Sequence, residues 1–222
     1  MSYRYIFLIL GTISFVQIGL SQKTYVPDDN FEQALIDLGY DDALDDSVLT
    51  ANISDVTNLN VNNKNITSLT GIEGFSALED LRCSDNSLTS LNINNNTNLT
   101  YINFSRNDVT SIDLTNNVLL TNIYCEKNQL TSLDVSNNTS LIALECNNNS
   151  LTSLDPSANT ALTLLKCNHN QLTSLDVSNN TALTELNAGW NQLTSLDVSA
   201  NTALTSIHIG GGSQSQITTL DL

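Results

Sequence analysis

One phrase recurs almost word for word along this chain, and its interval constrains the fold more than any other feature. LTSLDVSNNTSL at residues 130–141 returns as LTSLDVSNNTAL at 172–183 and as LTSLDVSANTAL at 193–204, with LTSLDPSANTAL between them at 151–162. With Leu78 as position 1, the unit restarts at Leu99, Leu120, Leu141, Leu162 and Leu183, each 21 residues on. A slightly longer unit precedes these over 56–77, and a partial one follows over 204–222. Apolar residues fill positions 1, 4, 6, 11, 14 and 16, and Asn recurs at positions 9 and 19. A single unit of this size buries almost nothing, whereas stacked coils bury a continuous apolar column. Period 2 at positions 4 and 6 predicts a short strand whose positions 3, 5 and 7 face away from the core.

LTLLKCNHNQL at 162–172 fits the pattern LxxLxCxxNxL and resembles the leucine-rich repeat family. The second half, LDVSxNTxL, is similar to a short 21-residue variant, called IRREKO, of secreted proteins from Bacteroidetes-type bacteria. NITSLTGIEGFSAL at 65–78 resembles internalin repeats. The resemblance covers about residues 56–222. It implies a leucine-rich repeat solenoid, right-handed, with short parallel β-strands and a mostly irregular or β convex side. About eight coils are expected, the last irregular and incomplete. For function it implies a binding surface whose partner differs from member to member.

The two ends break the repeat. Residues 1–21 carry Arg4, an apolar run from Ile6 to about Val16, and small residues at Gly19 and Ser21, which predicts a secretory signal peptide. Residues 22–55 predict a helical N-terminal cap: Pro27, Asp28 and Asp29 precede Phe31, Ala34, Leu35 and Leu38 at helical spacing, and Gly39 stops the run. Asp41, Asp42, Asp45 and Asp46 lack the spacing of an EF-hand loop and are expected to be solvated charge. GGGSQSQ at 210–216 interrupts the last coil, and the chain stops at LDL in mid-repeat. That points to a fragment, or to end-to-end self-association through an uncapped coil.

Loss of the leader removes Arg4 and leaves 6 Lys and Arg against 23 Asp and Glu. So acidic a chain repels phosphate backbones and anionic membranes, which excludes nucleic acid and membrane insertion of the mature chain. Nothing supports catalysis. His169 and His208 have no acid or nucleophile at a telling spacing, no hydrolase or phosphate-loop motif is present, and no cofactor is implied.

The framework columns are expected to be structural. Asn86, Asn107, Asn128, Asn149, Asn170 and Asn191 at position 9 should satisfy turn backbone and bond neighbouring coils. Cys83, Cys125, Cys146 and Cys167 share position 6 with Phe104, Ala188 and Ile209, so they are expected as buried reduced thiols rather than disulfides or metal ligands. Asp113, Asp134, Asp155, Asp176 and Asp197 stack at position 15, where each carboxylate either accepts local hydrogen bonds or helps form a calcium column.

Variation concentrates on one strip, positions 3, 5 and 8. Tyr101, Arg106, Tyr124, Lys127, Glu145, Lys166, His169 and Trp190 are the candidate ligand-binding residues there, with Tyr101, Tyr124 and Trp190 as anchors. The expected function is a secreted or cell-surface module that recognises a protein across this strip. The alternatives are a glycan-binding or adhesion module on the same aromatics, or a calcium-ordered structural rod.

Overall fold

The structure, a computed structural model, describes residues 21–211 and 219–221. The expected leader, apart from Ser21, and residues 212–218 of the expected insertion lie outside the described residues. The cap opens with β1 (Lys23–Tyr25), antiparallel to β2 (Ser47–Leu49), with helix α1 (Asp29–Asp37) between them and the short helix α2 (Thr50–Ile53) after. The repeat array then contributes β3 (Asn58–Asn60), β4 (Asp80–Arg82), β5 (Tyr101–Asn103), β6 (Asn122–Tyr124), β7 (Ala143–Glu145), β8 (Leu164–Lys166), β9 (Glu185–Asn187) and β11 (Ser206–His208). These eight form one parallel sheet in coil order. Pairing places Leu81 on Ile102, Ile123 on Leu144 and Leu165 on Leu186, so position 4 always meets position 4. Between these strands lies β10 (Ser195–Asp197), which pairs in parallel with β12 (Thr219–Asp221) in a separate two-stranded sheet. Eight strands bound seven full turns, one fewer than the eight coils expected, because most of the coil begun by β11 lies outside the described residues.

The apolar positions converge on one core that runs the length of the rod. Position 4 supplies Leu59, Leu81, Ile102, Ile123, Leu144, Leu165 and Leu186, all fully buried, and position 6 adds Val61, the four Cys, Phe104 and Ala188. Each large side chain so buried contributes about 1.5–3 kcal/mol. Ile207, the position-4 residue of β11, is 38% exposed because no described coil stacks on it. All four Cys are free thiols in apolar surroundings.

The cap seals the other end of the column. Phe31, Ala34 and Leu35 of α1 are buried, and the Phe31 ring lies 6.5 Å from Phe75 of the first coil. Asp28 fastens helix to coil. One carboxylate oxygen accepts the amides of Asn30 and Phe31 at 3.1 and 2.9 Å, which caps the helix. The other accepts the Thr67 amide, the Thr67 hydroxyl and the Ser68 amide at 2.9, 2.6 and 3.0 Å. Burial pushes this carboxyl up, but those donors outweigh burial and hold it below the usual range.

Candidate binding face

The position-9 Asn ladder sets the backbone of the face. In each coil Nδ2 donates to the position-6 carbonyl of its own coil and to that of the coil before. Asn128 reaches Cys125 O at 3.2 Å and Phe104 O at 3.0 Å. Its Oδ1 accepts the Val109 amide of the previous coil at 3.0 Å. The same pattern holds at Asn107, Asn149, Asn170 and Asn191. A second ladder, at position 19, has only half of this. Asn96, Asn117, Asn138, Asn159, Asn180 and Asn201 are buried and donate to carbonyls of earlier coils, while each Oδ1 has no partner.

The turn that the position-9 ladder braces takes a left-handed residue at position 8 of each coil. Asn63, Asp85, Arg106, Lys127, Asn148, His169 and Trp190 all have φ between 54° and 56°, and Gly211 continues the column at 112°. Asn and Asp tolerate this region and Gly prefers it, but for Arg, Lys, His and Trp it costs roughly 1–2 kcal/mol each. The sequence shows position 8 to be variable and does not disclose this strain. The coil thus presents Arg106, Lys127, His169 and Trp190 at a corner of the backbone.

Two aromatic clusters result. On the strands, the Arg82 guanidinium lies 4.8 Å from the Tyr101 ring centre, and the Tyr101 and Tyr124 centres are 5.3 Å apart. Arg82 is itself held by Asp80, Nε and Nη2 donating at 3.0 and 2.9 Å. Burial pushes the Tyr101 phenol above its usual range, and the charge of Arg82 pulls it partly back. At the corner, the His169 and Trp190 rings stack 4.9 Å apart at an interplanar angle of 12°. Gly211, one coil on, approaches the indole so closely that a Cβ there would collide with Nε1, Cδ1 and Cε2. Tyr101 therefore has neighbours on two sides, Arg82 and Tyr124, and Trp190 is flanked by His169 and Gly211. Trp190 nonetheless stays 47% exposed.

Ion pairs run between the clusters. Lys166 bridges Glu145 at 3.1 Å and Glu185 at 3.6 Å, and Arg106 faces Asp85 at 3.7 Å. Of the candidate residues, the structure brings Tyr101 to Tyr124, Glu145 to Lys166 and His169 to Trp190, while Arg106 and Lys127 stand on adjacent coils of the corner column. Sequence reasoning missed Arg82, Asp80, Glu185 and Gly211 as participants. The signal was available, since each lies 19 to 21 residues from its partner or within its own strand. The position-15 carboxylates lie away from this face. Asp113, Asp134, Asp155, Asp176 and Asp197 each accept the backbone amide two residues on at 2.9–3.0 Å. Hydrogen bonds from those Thr and Ser residues hold all five carboxyls below the usual range. Open grooves lined by residues such as Leu133, Asp134, Leu154 and Asp155 run beside this column. No helix among the described residues is long and apolar enough to cross a membrane.

No known family model and no curated protein matches the sequence. Solved structures do match. The functional domain of InlJ from Listeria monocytogenes is 27% identical over 90% of this chain, with a TM-score of 0.43, and this chain spans 61% of its length. Internalin C2 from the same organism is 21% identical with a TM-score of 0.77, over 90% of this chain and 94% of its own. A leucine-rich repeat protein of Leptospira interrogans is 20% identical with a TM-score of 0.66, over 78% of this chain and 50% of its own. The chain thus has a leucine-rich-repeat-like parallel β-solenoid fold, about seven turns of about 21 residues behind a small helical cap, similar in fold to internalin C2.

Proposed function

We propose that this protein is an exported binding module that recognises a protein partner across the strip formed by positions 3, 5, 7 and 8. The distribution of charge carries the reading. Four of the seven Lys and Arg of the chain (Arg82, Arg106, Lys127 and Lys166) lie on this strip, against five of its 23 acids (Asp80, Asp85, Glu126, Glu145 and Glu185). On a chain of net charge −16 this is a nearly neutral window that carries exposed Trp190 and the half-buried Tyr101 and Tyr124. Long-range repulsion weakens there, and amphipathic rings supply contact area at small entropic cost. The surface and secreted setting rests on the expected leader and on the internalin-like fold.

Glycan binding is the second reading, and the packing of the rings disfavours it. Sugar stacking needs an open ring face, whereas Tyr101 packs against Arg82 and Tyr124, and Trp190 against His169 and Gly211. A partner meets ring edges, the phenol hydroxyls and the corner side chains instead. The test is to probe immobilised residues 22–222 with a surface-protein array and a glycan array, beside the Tyr124→Ala/Trp190→Ala double variant. Protein binding lost in the variant supports the proposal. Binding retained in the variant, or glycan binding alone, refutes it.

A further inference from the structure

The seams between coils on the position-15 side are a second surface, which the recognition strip does not use. Positions 13–15 of one coil form β10, which pairs with β12. In the coils before it no backbone bond joins Ser132–Asp134 to Ser153–Asp155, or Ser153–Asp155 to Ser174–Asp176. Open hollows lie along this side instead. One, of about 350 Å³, is lined by Leu133, Leu154, Asp134 and Asp155 among others, and another, of about 430 Å³, by Leu175, Leu196, Asp176 and Asp197. Leu133, Leu154 and Leu175 retain 7–8% exposure, whereas the position-4 residues from Leu59 to Leu186 retain 0–1% and Leu196, beside β12, retains 2%. The floor of each seam is thus apolar and incompletely covered.

The rim is charged and has one sign. Hydrogen bonds from Ser136, Ser157, Ser178 and Ser199 hold the carboxyls of Asp134, Asp155, Asp176 and Asp197 below the usual range, so all four are ionised at neutral pH. No Lys or Arg lines either seam. Among the described residues Lys23 and Lys64 pair with Asp45 and Asp37 of the cap, and Arg82, Arg106, Lys127 and Lys166 lie on the recognition strip. Like charges on adjacent coils repel, and a cation from outside the chain relieves them.

We propose that these seams receive lysine side chains from a lysine-rich segment of a partner protein. The four-carbon stem of a lysine lies on the Leu floor, and its ammonium reaches the carboxylates at the rim. Successive lysines engage successive seams, so the contacts reinforce one another along the rod. A second copy of this chain does not fit, because it brings the same acids. A bare metal ion is a poorer occupant, since among the described residues no three His, Cys, Asp or Glu side chains group to hold one.

Fluorescein-labelled octalysine is the probe, titrated against the protein by fluorescence anisotropy. At 0.15 M salt the screening length of about 8 Å damps attraction to the acidic chain as a whole. Asp134→Asn/Asp155→Asn keeps the turn, because Asn92 at the same position of an earlier coil already accepts the Asn94 amide at 3.1 Å. This variant should weaken binding about tenfold. Asp42→Asn/Asp55→Asn removes the same charge from exposed residues of the cap region and should change binding less than about twofold. Octaornithine, one methylene shorter in each stem, should bind several-fold more weakly than octalysine. Asp176→Asn/Asp197→Asn repeats the test in the second seam if the first variant fails to fold. A loss in the Asp42/Asp55 variant as large as in the seam variants overturns the proposal, because whole-chain charge alone then holds the peptide. So do equal affinities for octalysine and octaornithine, and an absence of octalysine binding at this salt.

Discussion

Replacing Asn128 by Ala and Asn138 by Ala removes the same side chain at two buried places in one coil, and the costs should differ. Asn128 accepts the Val109 amide at 3.0 Å and donates to Phe104 O and Cys125 O at 3.0 and 3.2 Å. Truncation strands a buried N–H, worth about 1–3 kcal/mol, and removes two further bonds of about 1 kcal/mol each. The expected loss is roughly 3–5 kcal/mol. Asn138 donates to Leu114 O and Asn117 O at 3.3 and 2.8 Å, and its own Oδ1 has no partner. Truncation there strands no amide, and under-satisfied carbonyls are better tolerated than orphaned N–H groups. It also removes an acceptor that was already costing energy. The expected loss is about 1–2 kcal/mol. Urea unfolding of both variants and the parent, followed by far-UV circular dichroism, gives the two differences directly. Equal losses, or a larger loss for Asn138→Ala, would refute the reasoning that ladder position 9 is held by its accepted amide.

Three further outcomes are expected. Lys127→Gly should stabilise the rod by up to about 1 kcal/mol, because relief at φ 56° outweighs the backbone entropy of Gly; Lys127→Val should destabilise it, and denaturant midpoints check both. Asp28→Ala should cost about 2–4 kcal/mol and raise hydrogen exchange first at the amides of Phe31, Thr67 and Ser68. Because the Asp28 carboxyl is lowered in the folded state, its contribution holds at neutral pH and disappears as pH falls through that lowered value. The native thiols should resist iodoacetamide at pH 8 and react fully in urea, since burial pushes Cys83 and Cys167 up to about 12; labelling counted by mass spectrometry is the check.

The architecture was legible because the apolar columns repeat with one period, and only a stack of coils gives every Leu a neighbour. The position-9 ladder was legible as a column, since a recurrent Asn beside a turn has backbone to satisfy. Other features were hidden in distance or in conformation. Asp28 announced a helix cap, but its other bonds go to Thr67 and Ser68, some 40 residues on, and nothing local signals them. The left-handed corner was masked by the residues that occupy it, because Arg106, Lys127, His169 and Trp190 do not advertise positive φ. Asn63, Asp85, Asn148 and Gly211 in the same column did, and aligning all eight would have exposed the rule. Trp190 was singled out as an anchor on its residue type, while Gly211, which packs against it, read only as part of an insertion.

The ladder at position 9 also gives the rod a direction in time. The Leu88, Val109, Leu130, Leu151 and Leu172 amides each wait for the oxygen of an Asn 19 residues further along the chain. While the chain emerges from a ribosome, the newest coil always has N–H groups that only its successor can meet: in the coil 99–119 those of Phe104, Arg106 and Val109 bond to Tyr124 O, Glu126 O and Asn128 Oδ1. It is completed only when its successor arrives. Growth thus proceeds like a ratchet with one open tooth at its leading edge, and a pause in delivery leaves a single coil exposed rather than the whole column.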